Sequence, residues 1–149
     1  MKLLTMINKS PWNELLLRAS QRVKQGGNVI NHRGLILLYT SKSRIDSFGA
    51  DELAVLKDDY WAESSMRQGE DDPPRGVIVG AAVLKDCFGR PGEVEYDIKD
   101  ARRFPKPVPI VNRGPVRWFS VKVNRPLEEQ LRAVGMWREA KKADRELSK

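Results

Sequence analysis

The chain has one cysteine, Cys87, and one histidine, His32, among its 149 residues, and that scarcity removes several chemistries at once. A single thiol makes no internal disulfide, and one Cys with one His builds no zinc site. The expectation is a protein of the reducing cytoplasm that needs no metal and no cofactor. Long apolar runs are also missing. The longest, Gly76–Leu84 and Leu35–Tyr39, fall far below the ~18 residues of a membrane span, and Met1–Ile7 is too short for the core of a signal peptide. Cys87 closes an apolar, strand-like run, so it reads as a buried inert thiol rather than as half of a catalytic Cys–His pair.

What the chain does have is charge, unevenly placed. Charged residues are 32% and hydrophobic ones 40%, which excludes a disordered chain and leaves enough apolar side chains for the core of one domain of this length. The net charge is +7. Residues 1–48 carry eight Lys/Arg against two Asp/Glu, residues 49–98 five against twelve, and residues 99–125 eight against Asp100 alone. An acidic middle with basic flanks attracts polyanions if the flanks meet in the fold, because neutralising phosphates releases condensed counterions.

Local patterns place the elements. Met1–Ile7 predicts an opening strand. Ser10-Pro11 is an N-cap followed by proline at the first helical position, and Trp12, Leu15, Leu16 and Ala19 then form one apolar stripe, with Asn13, Glu14 and Arg18 outward, in a helix that Gly26-Gly27 ends. After a loop over Asn28–Gly34, Leu35–Tyr39 predicts a central strand, with Thr40-Ser41-Lys42 just past its end. Ala50–Gln68 has helical periodicity and holds much of the acid, and residues 69–74 form a charged surface connector. Gly76–Leu84 is a core strand, Glu93–Ile98 a short one, and Val116–Val123 alternates as a third. Prolines 105, 107, 109 and 115 keep the segment around them extended and loop-like. From Pro126, Leu127, Leu131 and Val134 mark one last helix, with Glu128 paired to Arg132. Gly135 weakens it, and a charged tail follows Ala140. The domain proper therefore covers residues 1–125, with 126–149 a helix and charged tail packed on it.

Three blocks in this order resemble the ASCH domain, the module of activating-signal cointegrators and of many short bacterial and phage proteins. They are Pro11-Trp12 with His32-Arg33-Gly34 and the strand to Thr40-Ser41-Lys42, then Gly76–Gly80 running to Asp86-Cys87, and finally Pro107-Val108-Pro109-Ile110 through Gly114 to Trp118. The resemblance implies an α+β, PUA-like fold, a small mixed β-barrel flanked by α-helices. It also implies a ligand cleft between the first helix, the following loop and the end of the next strand. Mapped onto this chain, the cleft residues are Trp12, Gln21, Lys24, Asn31, Arg33, Ser41 and Lys42. Family members that remove the acetyl group from acetylated cytidine carry a lysine where this chain has Gln21, and glutamine accepts no proton at neutral pH. Lys24, three residues on and so on the same helix face, is the candidate catalytic substitute.

Trp12 reads as a wall for a base or as core, Arg33 as a phosphate contact or a salt bridge, and His32 as a surface hydrogen-bonding group. Outside the cleft, Arg102, Arg103, Lys106, Arg113, Arg117 and Lys122 form a candidate nucleic-acid surface, with Phe104 and Trp118 interleaved or facing the core. The leading expectation is a non-enzymatic domain that binds nucleic acid, RNA before DNA, or a modified nucleoside. The alternatives are an amidohydrolase on acylated cytidine-type nucleosides or a nuclease, and a phage or bacterial accessory module that docks onto a protein.

Overall fold

The computed structural model describes residues 1–10, 13, 16–17, 22–25, 29–44, 76–110 and 118–147. The acidic helix expected over Ala50–Gln68, the connector at 69–74, and Trp12, Gln21, Arg113 and Arg117 lie outside the described residues. The architecture is mixed α+β. Six strands, β1 (Lys2–Ser10), β2 (Arg22–Gln25), β3 (Gly34–Arg44), β4 (Val77–Arg90), β5 (Glu93–Pro109) and β6 (Trp118–Lys122), make one sheet in the order β2-β5-β4-β3-β1-β6. Two helices, α1 (Arg125–Ala133) and α2 (Trp137–Leu147), follow. Only β1 and β3 run parallel; every other neighbouring pair is antiparallel.

Alternation along each strand sends side chains to two separate apolar clusters, one on each face. On one face Leu3, Leu37, Tyr39, Ile78 and Phe104 pack with Leu127 and Leu131 of α1 and Ala140 and Ala143 of α2. On the other, Met6, Leu38, Val79, Leu84, Tyr96 and Ile98 pack with Leu16, and with Leu17 and Trp118 at the margin. The second cluster draws on five strands because the sheet curls around it. Tyr96 of β5 and Trp118 of β6 stand four strands apart in the sheet order, yet their rings meet at 5.4 Å and 61°. The sheet does not close. β2 and β6 remain its edges, and among the described residues no ladder joins them, which corrects the expected barrel.

The strand readings at Met1–Ile7, Leu35–Tyr39 and Gly76–Leu84 match β1, β3 and β4, and β3 is buried from Leu35 to Ser41. β3 continues to Arg44, so Ser41 and Lys42 lie within the strand rather than past it. β5 overturns a larger expectation, since it runs to Pro109 through the segment read as a loop. Asp100, at φ 53°, falls where the β4 register slips between Ala81 and Val83. That extra residue reverses the strand's faces, so Val94, Tyr96 and Ile98 enter the curled cluster and Phe104 and Val108 the helix-covered one. Pro105 and Pro107 fit because four residues, Phe104 to Pro107, stand opposite Val79 alone and owe β4 no ladder hydrogen bonds.

The expected single C-terminal helix is two. Asn124 caps α1, its side chain accepting from Leu127 N–H at 3.0 Å, with Pro126 in the first turn and Glu128 bonded to Arg132 at 3.1 Å. Gly135, at φ 74°, ends α1 with paired bonds from Gly135 N–H to Arg132 O and from Met136 N–H to Leu131 O, and α2 starts two residues later. A glycine read as a weak point in one helix is thus the left-handed joint between two. Both helices join the core that holds the sheet, and no helix among the described residues is long and apolar enough to cross a membrane.

Candidate functional site

The parallel strands β1 and β3 end side by side, with Asn8 opposite Thr40. Each brings an apolar residue into the curled cluster, Met6 and Leu38, and two residues later a polar one in the same direction. These polar groups are joined through Asn13. Asn8 Nδ2 donates to Asn13 Oδ1 at 2.8 Å, and Asn13 Nδ2 donates to Thr40 Oγ1 at 2.9 Å. The Thr40 carbonyl in turn accepts from Gly76 N–H at 2.6 Å. Asn8, Asn13 and Thr40 are 5%, 1% and 2% exposed, with Ser41 buried beside them. Asn13 was expected to face outward. It points inward because Asn13, Leu16 and Leu17 are the helical positions turned to the sheet, the first completing the polar cluster and the others the apolar one.

Trp118 stands opposite Met6 at the same end of the sheet, and its Nε1 is buried with no hydrogen-bond partner. A buried donor left unmatched is uncommon and costs desolvation, so it marks a place where a ligand acceptor gains most. Tyr39 carries the other orphan, a hydroxyl buried on the opposite face where its ring meets Phe119 edge-on at 5.8 Å. Burial pushes that phenol's pKa above its ordinary value.

Among the described residues, the expected cleft positions fall at separate places. Asn31 is exposed and Arg33 half-buried before the start of β3, whereas Ser41 and Lys42 lie near its end. Eight residues of strand, roughly 26 Å, separate Arg33 from Ser41, so one cleft does not hold both. Arg33 acts as a clamp. Its guanidinium donates to Ile30 O at 2.7 Å, His32 O at 2.8 Å and Cys87 O at 3.3 Å, and pairs with Asp86 at 3.4 Å. Around it, Ile30 N–H donates to Cys87 Sγ at 3.3 Å, and His32 Nε2–H donates to Leu35 O at 3.0 Å. Cys87 is buried, as its position in an apolar run predicted. Lys24 sits in β2 opposite Glu95, on an extended strand rather than the first helix, so it shares no helix face with position 21.

The candidate nucleic-acid surface is also rearranged. Phe104 and Trp118 point into the two clusters, leaving the cations of 99–125 without interleaved stacking platforms. Arg102 Nη1 donates to Val134 O at 2.6 Å, placing a cation at the C-terminal end of α1, where the helix dipole favours it. The Lys106 N–H donates to Gln130 Oε1 at 2.9 Å, leaving its exposed side chain, like those of Arg103 and Lys122, on the surface. Lys122 lies on β6 at one edge of the sheet, and Arg102, Arg103 and Lys106 lie on β5, four strands away. Reading the sequence missed Asn8, Asn13 and Thr40. The signal was parity, because Asn8 and Thr40 continue the inward series of Met6 and Leu38. No protein-family model matches this chain, and no curated protein matches it.

Proposed function

We propose that this chain is an ASCH-like, PUA-like domain of the cytoplasm that binds nucleic acid, RNA in preference to DNA, and takes a base or modified nucleoside at the ends of β1 and β3. The observation that carries the reading is the buried Asn8–Asn13–Thr40 chain at the ends of β1 and β3, together with the unmatched indole N–H of Trp118, which stands opposite Met6 on β6. The amides and hydroxyl bond one another in the free chain and would have to re-pair with a base edge, while the indole offers an unused donor to a carbonyl or ring nitrogen. The net charge of +7 supplies sequence-independent affinity. Deacylation of cytidine-type nucleosides has less support, since Lys24 stands on the extended strand β2 and not on a helix.

Equilibrium binding of labelled single-stranded RNA, single-stranded DNA and duplex DNA at two salt concentrations tests the reading. The expected result is binding that weakens steeply with salt and ranks single-stranded RNA first. Absence of binding at low salt overturns it.

A further inference from the structure

The C-terminal helix carries a feature that the strand-end cluster does not use. α2 buries Ala140 and Ala143 against the sheet, with Met136 just ahead of them. At 3.6 residues per turn the opposite ridge is Arg138, Lys141, Lys142 and Arg145, spaced i, i+3, i+4 and i+7. All four are exposed, and among the described residues none of them forms an ion pair. Two of the helix's three acids, Asp144 and Glu139, stand aside from the ridge, and the side chain of the third, Glu146, lies outside the described ones. Asp144 accepts from the Lys2 backbone N–H at 2.9 Å, and Glu139 lies on the flank. Like charges three and four residues apart repel one another, and a bound polyanion removes that repulsion.

Beside the ridge lies a cavity of about 320 Å³ between α2 and the start of β3. Leu35, Val83 and Ala143 give it an apolar lining, and Arg33, Glu139 and Lys142 contribute the charges around it. The volume falls within the range of small-molecule sites, ~300–1,000 Å³. Lys142 belongs to both features, so a strand whose phosphates follow the ridge passes the cavity.

We infer that α2 binds the phosphate backbone of a single-stranded nucleic acid and that the cavity beside Lys142 takes one unstacked base. The inference rests on the nucleic-acid reading above and names the surface that holds the strand. The four cations span about 10 Å of helix axis, a short continuous track for the backbone of one strand. A single strand fits better than a duplex, whose bases are stacked and paired and have none to offer the cavity. An anionic membrane fits less well, because surface helices insert an apolar face and that of α2 is already buried in the core.

The test uses the full chain, a labelled single-stranded RNA, inorganic polyphosphate and phosphatidylglycerol vesicles. The variants are R138Q/K141Q/K142Q/R145Q, which alters only exposed side chains, and Val83→Phe, which fills the cavity without changing charge; Val83→Ile replaces the latter if it folds poorly. The quadruple variant is expected to bind RNA about 10- to 100-fold more weakly at 50 mM salt and to lower the slope of log K against log salt by about 3. Val83→Phe is expected to weaken RNA binding about 5-fold or more while leaving polyphosphate binding unchanged. Wild-type binding that the quadruple variant retains, in affinity and in slope, overturns this inference and leaves the nucleic-acid reading standing. Failure of the wild-type chain to bind RNA ends both. Loss of vesicle binding with RNA binding intact assigns the ridge to a membrane and overturns the inference, and unchanged RNA binding in the cavity variant overturns the base slot.

Discussion

The two ends of β3 hold similar groups and treat them differently. At the start, Arg33 bonds three backbone carbonyls and Asp86, His32 meets Leu35 O, and Cys87 exchanges contacts with Ile30. The polar groups there tie the 29–33 loop to β4. At the far end, Asn8, Asn13 and Thr40 are also bonded to one another, but the indole N–H of Trp118, opposite Met6 on the neighbouring strand, has no hydrogen-bond partner among the described residues. Polar residues near a strand end therefore do not by themselves indicate a site. The distinction lies in whether their hydrogen-bonding capacity is already filled.

Substitutions at the two ends sharpen this contrast. Asn13→Ala has the largest expected effect, removing the buried Asn13 amide that bonds both Asn8 and the Thr40 hydroxyl. A loss on the order of 2–4 kcal/mol is expected in urea denaturation, together with weaker RNA binding by the protein that remains folded. Arg33→Ala is expected to cost about 2 kcal/mol, chiefly through carbonyls left unbonded, since the half-exposed Asp86 pair adds little. RNA affinity per folded molecule should fall only slightly, because Arg33 borders the cavity beside α2 but spends its hydrogen bonds on the protein's own carbonyls. A tenfold loss of affinity in Arg33→Ala would break the contrast and return Arg33 to the ligand.

Trp118→Phe removes a donor that no protein group uses among the described residues. Its melting temperature is expected to stay within the shift that about 1 kcal/mol produces, while affinity for RNA falls several-fold. Tyr39→Phe, on the other face, has the smallest expected effect at neutral pH, within about 0.5 kcal/mol, because the deleted hydroxyl has no partner. Its effect grows in alkali. Burial raises the folded-state pKa of Tyr39 above 10.0, so the neutral phenol's contribution is complete below that pH and is lost as pH rises through the folded value. Denaturation midpoints from pH 8 to 11 should therefore fall less steeply for Tyr39→Phe than for wild type.

Alternation and caps made much of the fold legible in advance. Leu35–Tyr39 and Gly76–Leu84 are apolar on both parities, which suits strands buried on both faces, and the Pro126 helix start follows from Asn124 and its proline. The extent of β5 was hidden, since its prolines argue against a paired strand and only the four-residue bulge opposite Val79 makes room for them. Gly80 belongs to the same hidden geometry. A Cβ there would collide with the carbonyl oxygen of Arg102, so β4 and β5 approach closely because that position carries no side chain. The candidate site was not legible in the sequence, because the residues singled out, Asn31, Arg33 and Ser41, are near in sequence and a strand's length apart in space, while Asn8, Asn13 and Thr40 meet only in the fold.

The sequence by itself determined the α+β class, the inner strands, the buried Cys87 and the basic balance, all of which depend on local periodicity and composition. Tertiary structure alone decided that the sheet curls without closing, that Asn13 turns inward to bridge Asn8 and Thr40, and that Trp118 meets Tyr96. Those outcomes depend on bulges that shift parity by one residue and on contacts between segments many positions apart, and a single residue's pattern carries no record of either.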